Sequence, residues 1–159
     1  MISLRAMTES YAKEICCWKY DGEYSVYNFS DWETCKAKGW SIADKDKLGR
    51  EFCALTQEEN GRVVLCGFLR LTNEDGTINL GLGLRPDLCG RGLGAELMTI
   101  AINEYKRRFA GAGLELDVRT FNERAIKLYM KSGFAVTERI TRKTPSGDTE
   151  YLHMRYMGE

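Results

Sequence analysis

Between Leu80 and Met98 the chain reads LGLGLRPDLCGRGLGAELM, with Gly81, Gly83, Gly90, Gly92 and Gly94 inside it. Leu93, Leu97, Met98, Ala101, Ile102, Tyr105 and Phe109 then recur at helical spacing, which predicts a helix from about Gly92 to Phe109. Glycines ahead of a helix let a ligand approach the backbone with no Cβ in the way. The first turn also carries unpaired N–H groups and the positive end of the helix dipole. Gly90, Arg91, Gly92, Leu93, Gly94 and Ala95 thus form a candidate anion site, suited to a phosphate. Arg91 either adds charge or points to water. A glycine-rich turn with no ligand is the competing reading, since a short glycine motif is weak alone.

A second candidate lies on NERAIKLYMKS, which reads as a helix capped by Asn122 and ended by Gly133. Asn122 and Tyr129 are seven positions apart. They share one helix face, about 10.5 Å apart along the axis. A thin extended ligand can touch both; alternatively, Asn122 is only a cap and Tyr129 only amphipathic core. Gly81 and Gly83 mark either a bulge with close ligand approach or a twisted strand edge.

Other chemistries are expected to be absent. The six cysteines, Cys16, Cys17, Cys35, Cys53, Cys66 and Cys89, have no regular spacing, and there is one histidine, His153. A structural zinc site needs paired ligands, so no metal is expected. A disulfide framework is not expected either, and the cysteines read mostly as small core residues. His153 sits in an alternating run and reads as a plain strand residue. Lys plus Arg and Asp plus Glu are both 23. That balance argues against a nucleic-acid surface, which needs a basic stripe. No apolar run approaches the roughly 20 residues of a membrane span, and MISLRAMTES lacks the layout of a signal peptide. The expected location is the cytoplasm.

The elements that must position these residues are legible in outline. ISLRAM is a strand and TESYAKEICCWKY a helix with Thr8 or Ser10 as cap. An aromatic and polar loop follows, then a short helix from about Ser30. EFCALTQ and RVVLCGFLRLT are strands joined by EENG, and TINLGLGLR is a third. The Gly92–Phe109 helix, the buried strand LELDVRT, the Asn122 helix and the strands FAVTERITRK and TEYLHMRYM complete the chain. The 159 residues suit one α/β domain spanning 1–159.

GRGLGA also matches a dinucleotide fingerprint, with Asp117 at a strand end roughly 20-odd residues on. Here, however, Arg85–Cys89 separate the strand from the glycines, and an antiparallel hairpin follows. A P-loop is excluded because no Gly-Lys-Ser/Thr is present. The whole element order instead resembles the GNAT superfamily of acyl-CoA-dependent N-acetyltransferases, most tightly over Leu80–Phe134. That family's R/Q-x-x-G-x-G/A signature appears as Cys89-Gly90-Arg91-Gly92-Leu93-Gly94, with Cys89 in place of the usual Arg or Gln. Its second signature, N-x-x-A-x-x-L-Y-x-x-x-G-F, appears without departure as NERAIKLYMKSGF. DVRTFN is further similar to the bacterial subgroup that acetylates protein N-terminal amines, of the ribosomal-protein-alanine type.

The resemblance implies a single-domain GNAT fold: a mixed, mostly antiparallel sheet of about seven strands with about four helices, splayed at strands 4 and 5. It implies acetyl-CoA as cosubstrate. The glycine loop would bind the pyrophosphate, Asn122 the pantetheine arm, and the backbone of Leu82, Gly83 and Leu84 the thioester carbonyl. Fixed N–H donors suit the charge that builds on that oxygen. Tyr129 would protonate the departing thiolate. Asp117 would accept the amine proton, directly or through water, or is a structural strand-end acid. The expected reaction is direct attack by a primary amine in a ternary complex. The alternative is a non-catalytic acyl-CoA-binding regulator of the same fold. The acceptor, a peptide N-terminus or a small amine, is open. Trp18, Tyr20, Tyr24, Tyr27, Phe29 and Trp32, interleaved with Asp21, Glu23, Asp31 and Glu33, suit an ammonium or peptide end, or else core packing plus a homodimer surface.

Overall fold

The computed structural model describes residues Met1–Gly158. Seven strands form one mixed sheet in the order β1-β2-β3-β4-β5-β7-β6. They are β1 (Ser3–Ala6), β2 (Phe52–Glu59), β3 (Arg62–Glu74), β4 (Thr77–Leu84), β5 (Gly113–Arg119), β6 (Phe134–Thr144) and β7 (Gly147–Tyr156). Five α-helices accompany them among the described residues: α1 (Glu9–Cys16), α2 (Trp32–Ala37), α3 (Lys45–Glu51), α4 (Gly94–Arg108) and α5 (Glu123–Lys131). Among these residues no helix is long and apolar enough to cross a membrane. The β4–β5 pairing is parallel and short, running from Thr77 opposite Gly113 to Asn79 opposite Glu115. These three pairs cover only the first residues of β4, which runs to Leu84.

The chain divides into two compact units, and β3 and β4 contribute to both. The first comprises Met1–Arg70 and Leu82–Leu93. The Thr8 hydroxyl caps α1 by accepting from the Tyr11 N–H at 3.1 Å, and α1 buries Ala12, Ile15 and Cys16. Asp31 caps α2 through the Thr34 N–H at 2.9 Å. Phe68 gathers the aromatic core, with ring centroids at 6.4 Å from Trp18, 6.2 Å from Phe29 and 6.2 Å from Phe52. Helix α3 departs from the sequence expectation, which has no helix there. Asp44 caps it by accepting from the Asp46 and Lys47 N–H groups. Its sequence KDKLGRE holds one apolar core residue, Leu48, and an interior Gly49, so it has no readable period.

The second unit comprises Leu71–Gly81 and the chain from Gly94 onward. Strand β5 alternates strictly, burying Leu114, Leu116 and Val118 while Glu115 and Asp117 point to the other face. Helix α4 starts at Gly94, two residues later than its apolar period suggests, because Gly92 has a φ of 79° and cannot join a right-handed turn. Asn122 caps α5, its side-chain oxygen accepting from the Ala125 N–H at 3.2 Å. Gly133, with φ of 103°, ends that helix in the left-handed conformation that favours glycine.

Candidate active site

In the first unit, the end of β4 is fixed from several sides. A Cβ on Gly83 would lie 2.2 Å from Phe68 Cε1, so no larger residue fits beside that ring. Glycine at this position makes room for the approach of Phe68. Gly67 on β3 is constrained in turn, since its Cβ would meet the Gly83 carbonyl oxygen at 2.7 Å. The Tyr20 hydroxyl donates to the Leu84 carbonyl at 2.7 Å. Burial, then the nearby Cys89 thiol, pushes the Tyr20 phenol above its ordinary pKa, so it stays a donor. Arg85 finishes the anchoring, reaching the Leu65 carbonyl at 2.9 Å, Glu59 at 2.9 Å and Asp87 at 2.6 Å. The Asp87 and Glu59 carboxylates outweigh its burial and hold it firmly charged.

Half of the aromatic stretch thereby receives an assignment. Trp18 is buried and Phe29 half-buried around Phe68, and Tyr20 ties the stretch to β4. Val26 and Tyr27 are exposed, and the Tyr24 and Tyr27 rings lie 6.5 Å apart on the 3₁₀ turn Gly22–Tyr27.

The loop Cys89–Leu93 follows. Gly90 and Gly92 have φ of 76° and 79°, so two of its residues occupy a conformation in which L side chains are strained. A Cβ at Gly92 would meet no protein atom within 4 Å. The Cβ side of Gly92 therefore faces open space. The Cys89 thiol points back at the loop backbone, 3.7 Å from the Arg85 carbonyl.

In the second unit, α4 opens at Gly94. A Cβ there would come within 2.8 Å of Leu128 Cδ2 on α5, so this third glycine lets the two helices approach closely. Leu128 is the neighbour of Tyr129 and lies six positions after the Asn122 cap. The Tyr129 ring lies 6.1 Å from that of Phe134, which lies 5.4 Å from Tyr156, its partner across β6 and β7. Tyr156 and His153 are an odd number of residues apart on β7, so alternation puts them on opposite faces. The Tyr129 ring therefore packs against Phe134, on the face of β6 and β7 opposite that of Asp117 and His153.

What Asp117 does meet corrects the sequence reading of His153 as a plain strand residue. The register sets the two directly opposite on β5 and β7. His153 Nδ1 lies 2.6 Å from Asp117 Oδ1, and Nε2 lies 3.0 Å from Glu115 Oε2. Arg142 on β6 takes the other Asp117 oxygen at 2.8 Å, and Arg155 Nε stands 3.9 Å from Glu115. Burial works against the imidazolium, but the Asp117 and Glu115 carboxylates outweigh it and raise the His153 pKa. Sequence reasoning missed His153, Glu115 and Arg142. The available signal was the pair of acids at alternate positions on β5 and a lone histidine on a strand of matching alternation.

Among the described residues no group of His, Cys, Asp and Glu could hold a metal ion. The first unit thus offers a glycine-shaped backbone loop; the second, taken by itself, offers a helix headed by Asn122 and carrying Tyr129, and an acid–imidazole set on β5 and β7.

Comparison with known proteins agrees with this construction. No curated protein matches the sequence closely. Among solved structures, the chain is similar to the ribosomal-protein-S18-alanine N-acetyltransferase from Escherichia coli, at 23% identity over 100% of this chain and 96% of that one, with a TM-score of 0.66. It is similar to mutant forms of the spermidine/spermine N-acetyltransferase from Vibrio cholerae, at 15% identity over 98% and 93% of the two chains, with a TM-score of 0.70. It also resembles a GNAT-family acetyltransferase from Bacillus anthracis, at 10% identity over 97% and 93%, with a TM-score of 0.75. At such identities the likeness is one of fold. The sequence model of the acetyltransferase (GNAT) family matches residues 8–134, from the α1 cap to the start of β6, and the chain belongs to that family.

Proposed function

We propose that this GNAT acetyltransferase moves an acetyl group from acetyl-CoA to a primary amine by direct attack in a ternary complex. One observation carries the reading. Both family signatures, the Cys89–Gly94 loop and the Asn122–Phe134 helix, occupy the elements that suit them: a left-handed glycine loop ahead of a fifteen-residue helix and a capped helix presenting Tyr129.

The residues divide the work. Backbone N–H groups of Gly90–Ala95 hold the pyrophosphate of acetyl-CoA, with the helix dipole favouring its charge. Arg91, exposed on the loop, adds positive charge nearby. Asn122 binds the pantetheine arm. Acetyl-CoA supplies an activated thioester. The backbone of Leu82–Leu84, braced by Phe68, Tyr20 and Arg85, offers a rigid donor to its carbonyl, and a fixed donor needs no reorganisation as charge develops. Asp117 takes a proton from the acceptor, because only a neutral amine attacks. An α-amine with pKa of about 8 is partly neutral at pH 7, whereas a lysine at about 10.4 is nearly all charged. Tyr129 returns a proton to the thiolate. A free tyrosine near 10 and a thiol near 8.5 make that transfer mildly uphill until the site tunes it. The two protons are thus handled on opposite faces of the sheet.

The acceptor class follows from chemistry that the fold's relatives share. The Escherichia coli neighbour is named for an alanine of a ribosomal protein and the Vibrio cholerae neighbour for polyamines. For this chain an α-amine on a peptide is the better match, because it asks less of a carboxylate base. The test is an initial-rate matrix of acetyl-CoA against alanine-headed peptides, spermidine and aminoglycosides. Transfer to at least one peptide amine, with intersecting double-reciprocal lines, is the expected result. Binding of acetyl-CoA with no transfer to any amine would make the protein a regulator that retains the pocket.

A further inference from the structure

A carboxylate is a weak base for an ammonium, and Asp117 is further occupied: one oxygen faces His153 Nδ1 at 2.6 Å and the other faces Arg142 at 2.8 Å. His153 itself is held at both ring nitrogens, with Glu115 at 3.0 Å from Nε2. Both contacts are of hydrogen-bond length, and each needs one proton between its atoms. The three groups together therefore hold two protons in this arrangement, as an imidazolium between two carboxylates. Removing one proton leaves a lone pair on one ring nitrogen facing a carboxylate. In that state the set is a proton acceptor.

We propose that His153 is a positioning residue that acts through Asp117: with Glu115 it forms a three-member set that takes up the proton of the acceptor amine, which comes to rest on the imidazole instead of the carboxylate. In the accepting state Glu115 keeps the Nε2–H, so that Nδ1 faces Asp117 with its lone pair. One N–H bond of the acceptor ammonium breaks, an O–H bond forms on Asp117, and that proton passes to His153 Nδ1 as the new N–H bond. Charge and protons balance with no other reactant, and bulk water reclaims the proton between turnovers. An imidazole lies closer in pKa to an α-amine than a carboxylate does, so the uphill transfer is smaller. The proposal rests on the acetyltransferase reading above and supplies its base.

The charged and titratable groups around His153 in this part of the sheet are few. From β5 come Glu115 and Asp117. From β6 come Glu138, opposite His153 in the register, and Arg142, through Asp117. On β7 itself Tyr151 and Arg155 alternate with it. The two carboxylates are the groups in direct contact, and they favour the imidazolium against the burial that opposes it. Such a set titrates as a unit, with apparent values that belong to the whole.

His153 is the single histidine of the chain, so the imidazole resonances of untagged protein report it unambiguously by NMR. The experiment follows that titration and the pH dependence of kcat with both substrates saturating, using two peptide acceptors of different amine pKa, in wild type, Glu115→Gln and His153→Gln. In wild type the acidic limb of kcat should coincide with the imidazole midpoint and stay put between acceptors. In Glu115→Gln both should move to lower pH together. In His153→Gln, kcat should fall by on the order of 10-fold, with the limb displaced toward the carboxylate range and KM for acetyl-CoA unchanged. A limb that stays in place in Glu115→Gln while the imidazole midpoint moves would overturn the role of His153. Absence of acetyl transfer by the wild type at every pH would overturn the acetyltransferase reading itself, and the proposal with it.

Discussion

The glycine loop and the polar face of β5–β7 solve different problems with different parts of the chain. In the proposed reaction Gly90 and Gly92 work through backbone N–H donors that no side chain covers. At Asp117 and His153 the useful groups are side-chain atoms, set within 2.6 Å by cross-strand register. The loop should therefore tolerate a change of side-chain chemistry, as at Cys89, and resist a change of backbone conformation. The sheet face should do the reverse.

The largest effects should come from side chains placed in the proton path. Tyr129→Phe keeps the ring beside Phe134 and removes the hydroxyl. It should lower kcat on the order of 10²-fold with little change in acetyl-CoA affinity. Asp117→Asn should cost a similar factor, more with a lysine acceptor than with an α-amine, since more of the lysine must be deprotonated. Measuring both variants across pH with one acceptor separates the two protons. Full kcat in Tyr129→Phe, with chemistry shown to limit the rate, would make Tyr129 a packing residue and undo the two-face division.

Glycines should separate by what confines them. Gly94→Val drives a branched side chain into Leu128 and should destabilise the fold by about 1–3 kcal/mol. The melting temperature should then fall by roughly 2–4 °C per kcal/mol. Pairing it with Leu128→Ala should recover part of that loss. Gly92→Ala meets no protein atom but must adopt a φ of 79°, so its loss should not respond to any neighbouring truncation. Recovery of Gly92→Ala by Leu128→Ala would contradict the distinction.

A smaller effect concerns stability against pH. The folded state raises the His153 pKa because two carboxylates outweigh its burial. Its contribution is fully present below the unfolded value of about 6.5 and is lost as pH rises through the folded value. The melting-temperature gap between wild type and His153→Gln should therefore be widest near pH 6 and narrow as pH increases. A gap that widens with pH would mean the imidazole is held neutral. The smallest effect is expected from Cys89→Ser, which should leave KM for acetyl-CoA near wild type if, as proposed, that loop binds through its backbone.

The same contrast explains what could be read in advance. The loop and α5 are contiguous signals: an Asn cap, an apolar period and a terminal glycine all lie within Asn122–Gly133. Their elements fell where the spacing put them. Helix α3 did not announce itself, because seven residues with one core leucine carry no period. The role of Gly83 was hidden because Phe68, which makes it necessary, lies on another strand. The acid–imidazole set was hidden for the same reason at greater distance. Alternation says which face His153 occupies, but only the register across 36 positions says that Asp117 is opposite.

In the proposed reaction the acetyl group passes directly from acetyl-CoA to the amine. None of the six cysteines, all among the described residues, is in a disulfide, and Cys16, Cys35 and Cys66 are buried in the core. Burial and the neighbouring Cys35 thiol push the Cys16 thiol up to about 12, which keeps it un-ionised and un-nucleophilic at neutral pH. Cys89, half-buried, is the cysteine that lies in the proposed cofactor-binding loop. The decisive measurement is intact-mass spectrometry of the protein after brief mixing with acetyl-CoA alone, followed by addition of an alanine-headed peptide. Direct transfer predicts that the chain stays unmodified throughout and that acetyl appears only on the peptide. A chain that gains one acetyl group before the peptide is added, and loses it at the rate at which acetyl-peptide forms, would contradict it.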